Sequence, residues 1–237
     1  MIARIVFCSA FAALTAVSVA ARGAPPEAIK ASYDVFKGGL RIGVAEESFE
    51  KSGARYSIIS ETTPSGVLAL LMRTRVKLQS SGVITSAGLQ PEQFDYVRLD
   101  DASRNVSATF DWRAGQLRMA FEGRKETAPL PQGTQDRLSL MYQFMFLPLD
   151  KLKLIPVQMT NGRKIESYRY RVGDEVPLET PLGRIKTLHL VKQREADDKN
   201  QIEVWLATER NFVPVKLLIV ESDGSRFEQV VTRLEFK

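Results

Sequence analysis

The run Thr134-Gln135-Asp136-Arg137-Leu138-Ser139-Leu140-Met141-Tyr142-Gln143-Phe144-Met145-Phe146-Leu147 carries the strongest helix signal in the chain. Thr134 can cap a first turn, and Asp136 sits where the positive end of a helix dipole favours a carboxylate, so the pattern predicts a helix over Thr134 to Leu147. From Leu138 to Leu147 only Ser139 and Gln143 are polar, which puts apolar side chains around nearly the whole circumference. A helix apolar on all sides must be enclosed on all sides. At about 25 cal/mol per Å² its burial contributes on the order of 10 kcal/mol before entropy is subtracted.

What encloses it must come from the rest of the chain, and the rest reads as strands. Short alternating segments run Tyr33 to Lys37, Leu40 to Lys51, Arg55 to Thr62, Arg75 to Ile84, Phe94 to Leu99, Val106 to Trp112 and Gln116 to Gly123, each bounded by turn residues. Beyond the helix come Pro156 to Thr160, Arg163 to Val172, Glu175 to Glu179, Arg184 to Arg194, Gln201 to Ala207, Val213 to Ser222 and Arg226 to Phe236. Asn161-Gly162 between two alternating runs is a strong hairpin signal. Val67-Leu68-Ala69-Leu70-Leu71-Met72, with Ser65 available as a cap, predicts a second short helix. The expected fold is therefore mainly β, a strongly curved antiparallel sheet of hairpins forming a half-barrel or open barrel. It encloses one apolar helix and carries the second helix as a lid.

The start of the chain has a different character. Met1 to Arg4 are followed by an uncharged run from Ile5 to Ala21, and Ser18-Val19-Ala20 matches the small-x-small pattern of signal-peptidase substrates. We expect residues 1–20 to be a signal peptide cleaved after Ala20, with Ala21 and Ala24 as alternative positions, and residues 21–237 to be a single periplasmic domain. No stable membrane span is expected after cleavage. Cys8, the sole cysteine, leaves with the signal, so apolar packing rather than disulfides must hold the domain. The formal charge falls from +5 to +4 because the signal carries only Arg4. Basic and acidic residues are interleaved along the strands, which argues against a nucleic-acid partner.

The residue types needed for catalysis are sparse. His189 is the one histidine and lies in an alternating strand, which leaves no multi-histidine metal site and only one candidate base for a nucleophile. Glu46-Glu47 are strand neighbours that point to opposite faces, and Asp100-Asp101 and Asp197-Asp198 read as turns. Glycine-rich phosphate loops and nucleophile elbows are lacking. We expect no catalytic residues, no metal, no cofactor and no enzymatic activity.

Several phrases in order resemble the secreted bacterial family known as domain of unknown function three-one-zero-eight. They are Tyr33 before Leu40-Arg41-Ile42-Gly43, Gly88-Leu89-Gln90-Pro91 before Phe94, Gln135-Asp136-Arg137-Leu138-Ser139, Thr180-Pro181-Leu182-Gly183, and Trp205-Leu206-Ala207 before Pro214-Val215. The resemblance implies an envelope location and a curved antiparallel sheet with a helix, and it brings no catalytic residues. A looser similarity is to lipoprotein-carrier half-barrels, at the level of fold alone.

The excess of apolar helix surface over what one sheet face can bury suggests an apolar or lipid-like ligand, or an acylated envelope component. Val67, Leu68, Leu71, Met72, Tyr142 and Phe146 are the expected lining. Gln135, Asp136 and Ser139 would orient a head group, or else serve only to start the helix. The alternative is a structural module with a packed core that binds another envelope protein through a sheet edge.

Overall fold

A computed structural model of the protein describes residues 25–66, 75–193 and 200–237. These residues form one sheet of 15 strands. The first meander comprises β1 (Ala28–Lys37), β2 (Leu40–Ser52), β3 (Arg55–Pro64), β4 (Val76–Thr85), β5 (Gly88–Arg98), β6 (Val106–Asp111), β7 (Gln116–Phe121) and β8 (Arg124–Pro129). The chain then crosses to the opposite edge. There β9 (Gln135–Asp136) precedes helix α1 (Ser139–Gln143) and a 3-10 turn at Phe144–Phe146. The second meander is β10 (Leu154–Thr160), β11 (Ile165–Thr180), β12 (Gly183–Lys192), β13 (Gln201–Ala207), β14 (Pro214–Val220) and β15 (Arg226–Phe236). The first and last strands, β1 and β15, pair antiparallel in the middle of the sheet. Among the described residues, only the pairing of β9 with β10 is parallel.

The sheet is open, with β8 and β9 at its edges, yet it is strongly curled. In a flat sheet, strand spacings of about 4.8 Å would hold β9 about 50 Å from β4. Instead Ser80 Oγ of β4 donates to Asp136 Oδ2 of β9 over 2.6 Å. The free edge has been rolled onto the inner face of β4 and β5. Alternation along each strand sorts the side chains accordingly: Leu188 and Leu190 of β12 are core residues, while His189 between them stacks on Trp205 on the other face.

The helix predicted over Thr134 to Leu147 is corrected to five residues, Ser139–Gln143, followed by the 3-10 turn. Pairing of Gln135 and Asp136 with Met159 and Thr160 takes the first residues into the sheet, overriding their local helical preference. The Thr134 hydroxyl, expected as a cap, donates instead to the Pro131 carbonyl. The short segment still joins both halves of the interior. Tyr142 and Met145 pack with Phe49, Ile58 and Phe94 of the first meander, whereas Leu140 and Phe144 pack with Tyr170, Leu190 and Leu206 of the second. The expected lid, Val67 to Met72, lies outside the described residues, as does the expected signal segment, residues 1–20. Two further differences concern strands. β8 lacks alternating apolar residues and escapes sequence reading, and β11 runs through the expected break at Gly173-Asp174 as a bulge between Val172 and Glu175.

Phe144 is fully buried and meets Tyr170 edge to face at 5.7 Å. Phe144→Ala is expected to cost about 3–5 kcal/mol, measured by urea unfolding. A loss under about 1 kcal/mol would show that the segment does not tie the two halves together. Gly88 has φ +102°, and a Cβ there would lie 2.4 Å from Gln143 Oε1. Gly88→Ala should therefore displace that amide and cost at least about 2 kcal/mol in the same measurement.

Candidate functional site

The interior has a floor and a mouth, and the floor is built from polar groups that pin the rolled edge. β6 pairs with β5 only from Gln93 to Tyr96, which leaves one side of the Leu89 backbone without a strand neighbour. The segment from β9 through α1 to the 3-10 turn, a plug in the interior, supplies what is missing. Gln143 Oε1 accepts from Leu89 N–H at 2.7 Å, Gln143 Nε2 donates to the Ala87 carbonyl at 2.8 Å, and Gln135 Nε2 donates to the Leu89 carbonyl at 2.8 Å. Asp136 Oδ1 accepts from the Leu138 and Ser139 N–H groups, both at 2.8 Å, and Ser139 Oγ accepts from Asp136 N–H at 3.0 Å. A Tyr56 hydroxyl 3.2 Å from Ser80 Oγ completes the cluster. Deeper along the floor, Tyr142 stacks on Phe49 and its hydroxyl donates to Glu47 at 3.0 Å, which also accepts from Ser60. Burial raises the Glu47 carboxyl above the ordinary range, against the opposing effect of those two hydrogen bonds.

Tyr142 and Phe146 are thus packed against the first core, Tyr142 completely and Phe146 in part. Gln135, Asp136 and Ser139 are buried in the plug and bonded within the protein, with Gln135 Oε1 left without a partner among the described residues. Val67, Leu68, Leu71 and Met72 lie outside the described residues. His189 bonds Glu203 across 2.7 Å on the outer face, away from this interior. Glu46 bonds Ser32 while its neighbour Glu47 faces the plug.

Above the floor the described residues leave the interior unfilled. A cavity of about 520 Å³ is lined by inward-facing side chains of five strands, chiefly Val35, Ile42, Thr62, Pro64, Val76 and Phe227, with Leu40 at its rim. Register places them in one ring: Val35 is opposite Gly43, Gly43 opposite Pro64, and Thr62 opposite Val76. Gly43 is required because a Cβ there would sit 2.7 Å from the Thr63 carbonyl oxygen. Val35 and Phe227 also line a neighbouring hollow of about 260 Å³ with Leu217, Ile219 and Arg137. Alternation could identify these residues as inward-facing, but it carried no signal for which part of the interior stays empty. Among the described residues no cluster of His, Cys, Asp or Glu is arranged to hold a metal, and no helix is long and apolar enough to cross a membrane.

Burial also raises the Asp136 carboxyl, with the bonds from Ser80, Ser139 and Leu138 pulling the other way. A carboxyl raised in the folded state contributes stability that is fully present below its unfolded value and is lost as pH rises through the raised one. In Asp136→Asn the amide oxygen can accept the same two N–H groups, while its nitrogen donates to Ser80 and Ser80 turns to Tyr56. Unfolding of wild type and Asp136→Asn across pH should show the difference moving in favour of the variant as pH climbs above the ordinary carboxyl range. Glu47 is common to both and cancels. Asp136→Ala, which strands three donors, should cost about 3 kcal/mol or more at all pH values.

The fold is shared with a protein of different sequence. A β-barrel-like protein of the domain of unknown function DUF1849 from Brucella abortus superposes with a TM-score of 0.60 over 90% of this chain and 99% of that chain, at 12% identity. Two others overlap less well. A candidate lipoprotein from Parabacteroides distasonis gives 0.36 at 7% identity, covering 89% of this chain and 96% of its own. A candidate exported protein with a YmcC-like fold from Bacteroides fragilis gives 0.33 at 5% identity over the same shares. No curated protein matches the sequence. The family model described as "Protein of unknown function (DUF3108)" matches residues 32–232, and the chain belongs to that family.

Proposed function

We propose that this is an exported, non-catalytic protein that binds an apolar, lipid-like molecule in the mouth of its open barrel. The observation that carries the reading is the cavity of about 520 Å³ walled by Val35, Ile42, Pro64, Val76 and Phe227. Ligand sites typically span about 300–1,000 Å³ and are mostly apolar with few polar groups. Leu40 at the rim is 64% exposed, an apolar side chain left in water where an apolar occupant would cover it. Export rests on the signal pattern of residues 1–20. The residues Val67, Leu68, Leu71 and Met72 are not needed for this reading.

The rival reading, a module that recruits another envelope protein through a sheet edge, has one supporting feature. β8 pairs only with β7, so one of its edges is unpaired within the sheet. Arg124, Lys125 and Pro129 on that strand are exposed, and such residues discourage strand addition. The cavity is the better guide.

Native mass spectrometry and solvent extraction of the mature protein should yield a bound apolar molecule, and the emptied protein should bind a fluorescent apolar probe such as N-phenyl-1-naphthylamine. Ile42→Glu, which places a charge in the wall, should weaken the probe by about tenfold or more with circular dichroism unchanged. A wild-type protein that is empty on isolation and ignores the probe would defeat the proposal.

A further inference from the structure

We infer that the ligand is an anionic amphiphile, an alkyl chain ending in a carboxylate or phosphate, and that Arg137 receives its head group; this rests on the apolar-ligand reading above. Arg137 follows β9 directly, so its backbone is held in place by the buried Asp136 while its own side chain is exposed. It lines three adjoining hollows. One holds Val35 and Phe227, which also wall the apolar cavity; another holds Met141 and Tyr168. The third, about 260 Å³, is lined by Arg98, Arg104, Arg137 and Arg163 together with Tyr96 and Asn161, and by no carboxylate.

The four arginines are not equivalent. Arg98 is paired with Asp100 at 3.2 Å, Arg104 with Asp101 at 3.1 Å, and Arg163 with Glu122. Arg137 makes no ion pair among the described residues. Nearby carboxylates on the hollows it shares are Glu166, Glu221 and Glu228; Glu166 is taken by Lys164, Glu228 by Lys216 and Arg226, and Glu221 lines two of the hollows without forming an ion pair to Arg137 among the described residues. A guanidinium fork without a carboxylate partner among the described residues, beside three other arginines, is suited to a planar or tetrahedral oxyanion.

The apolar and cationic parts are adjacent. Val76 of the apolar wall lies directly opposite Arg98 in the β4–β5 register, one strand spacing of about 4.8 Å away. A molecule with its chain against Val76 and Phe227 can therefore set its head beside Arg137 without leaving the mouth. An uncharged chain would fill the same wall and leave the guanidinium group unused.

The test compares oleate, oleoyl lysophosphatidic acid and oleyl alcohol as competitors of the fluorescent probe on delipidated full-length mature protein at pH 8. Wild type is expected to bind at least one of the two anions about tenfold more tightly than the alcohol, with the preference shrinking as salt rises. Whichever anion binds better identifies the head group. Arg137→Gln should abolish the preference while leaving the alcohol unchanged, and Arg137→Lys should retain part of it. Equal binding of anions and alcohol by wild type, or a preference that survives in Arg137→Gln, would overturn this inference while leaving the apolar reading intact. Failure of all three to displace the probe would overturn both.

Discussion

Four hydrogen bonds made by side chains hold the curl of this sheet: Ser80 to Asp136, Gln135 to the Leu89 carbonyl, and Gln143 to both Leu89 N–H and the Ala87 carbonyl. They join strands that a flat sheet would keep far apart, and they are made in a buried setting where an unmade bond is costly. The partners exist because β5 outruns β6, exposing strand-edge groups that nothing else satisfies. Hydrophobic burial supplies the bulk of the driving force, but it has no direction. The direction of the roll comes from these polar contacts, and the interior follows from the roll.

With the edge pinned, the interior divides into two unequal regions. Below, α1 and the 3-10 turn insert Tyr142, Phe144 and Met145, and the space is filled by large side chains packed on both meanders. Above, the plug ends, and the inward residues of β1 to β4 and β15 face one another across a hollow. A helix of five residues reaches only part of the interior; the fourteen residues expected from the sequence would have reached further. Among the described residues, the brevity of α1 and the unfilled mouth are thus two aspects of one arrangement. Arg137 stands at the boundary between them, fixed by the plug and turned toward the hollow.

The shortening of the helix also shows why local signals misled. Thr134, Asp136 and Ser139 form a reasonable capping pattern, and Leu138 to Phe146 is strongly apolar. The preferences involved amount to a few tenths of a kcal/mol per residue, less than what β9 gains by pairing with β10 and burying Asp136 among Ser80, Leu138 and Ser139. The apolar pattern was sound as a sign of burial, since Leu138, Leu140, Tyr142, Phe144 and Met145 are all buried. It was not a sign of helix length, because a fully buried run has no face-to-face periodicity to mark where a helix stops.

Strand positions, their turns and the inward or outward sense of most residues were legible in the sequence, because alternation and glycine-marked hairpins are local properties of a chain. The mainly β class and the family resemblance were legible in the sequence as well. The tertiary structure alone decided that β1 meets β15, that the edge rolls onto β4 and β5, and that Val35, Ile42, Val76 and Phe227 line a common cavity next to the hollow that Arg137 lines. Those facts depend on partners from 46 to about 200 residues apart in the chain. Inward direction is set by the pleat of a single strand, whereas a cavity is what remains after every strand has been placed.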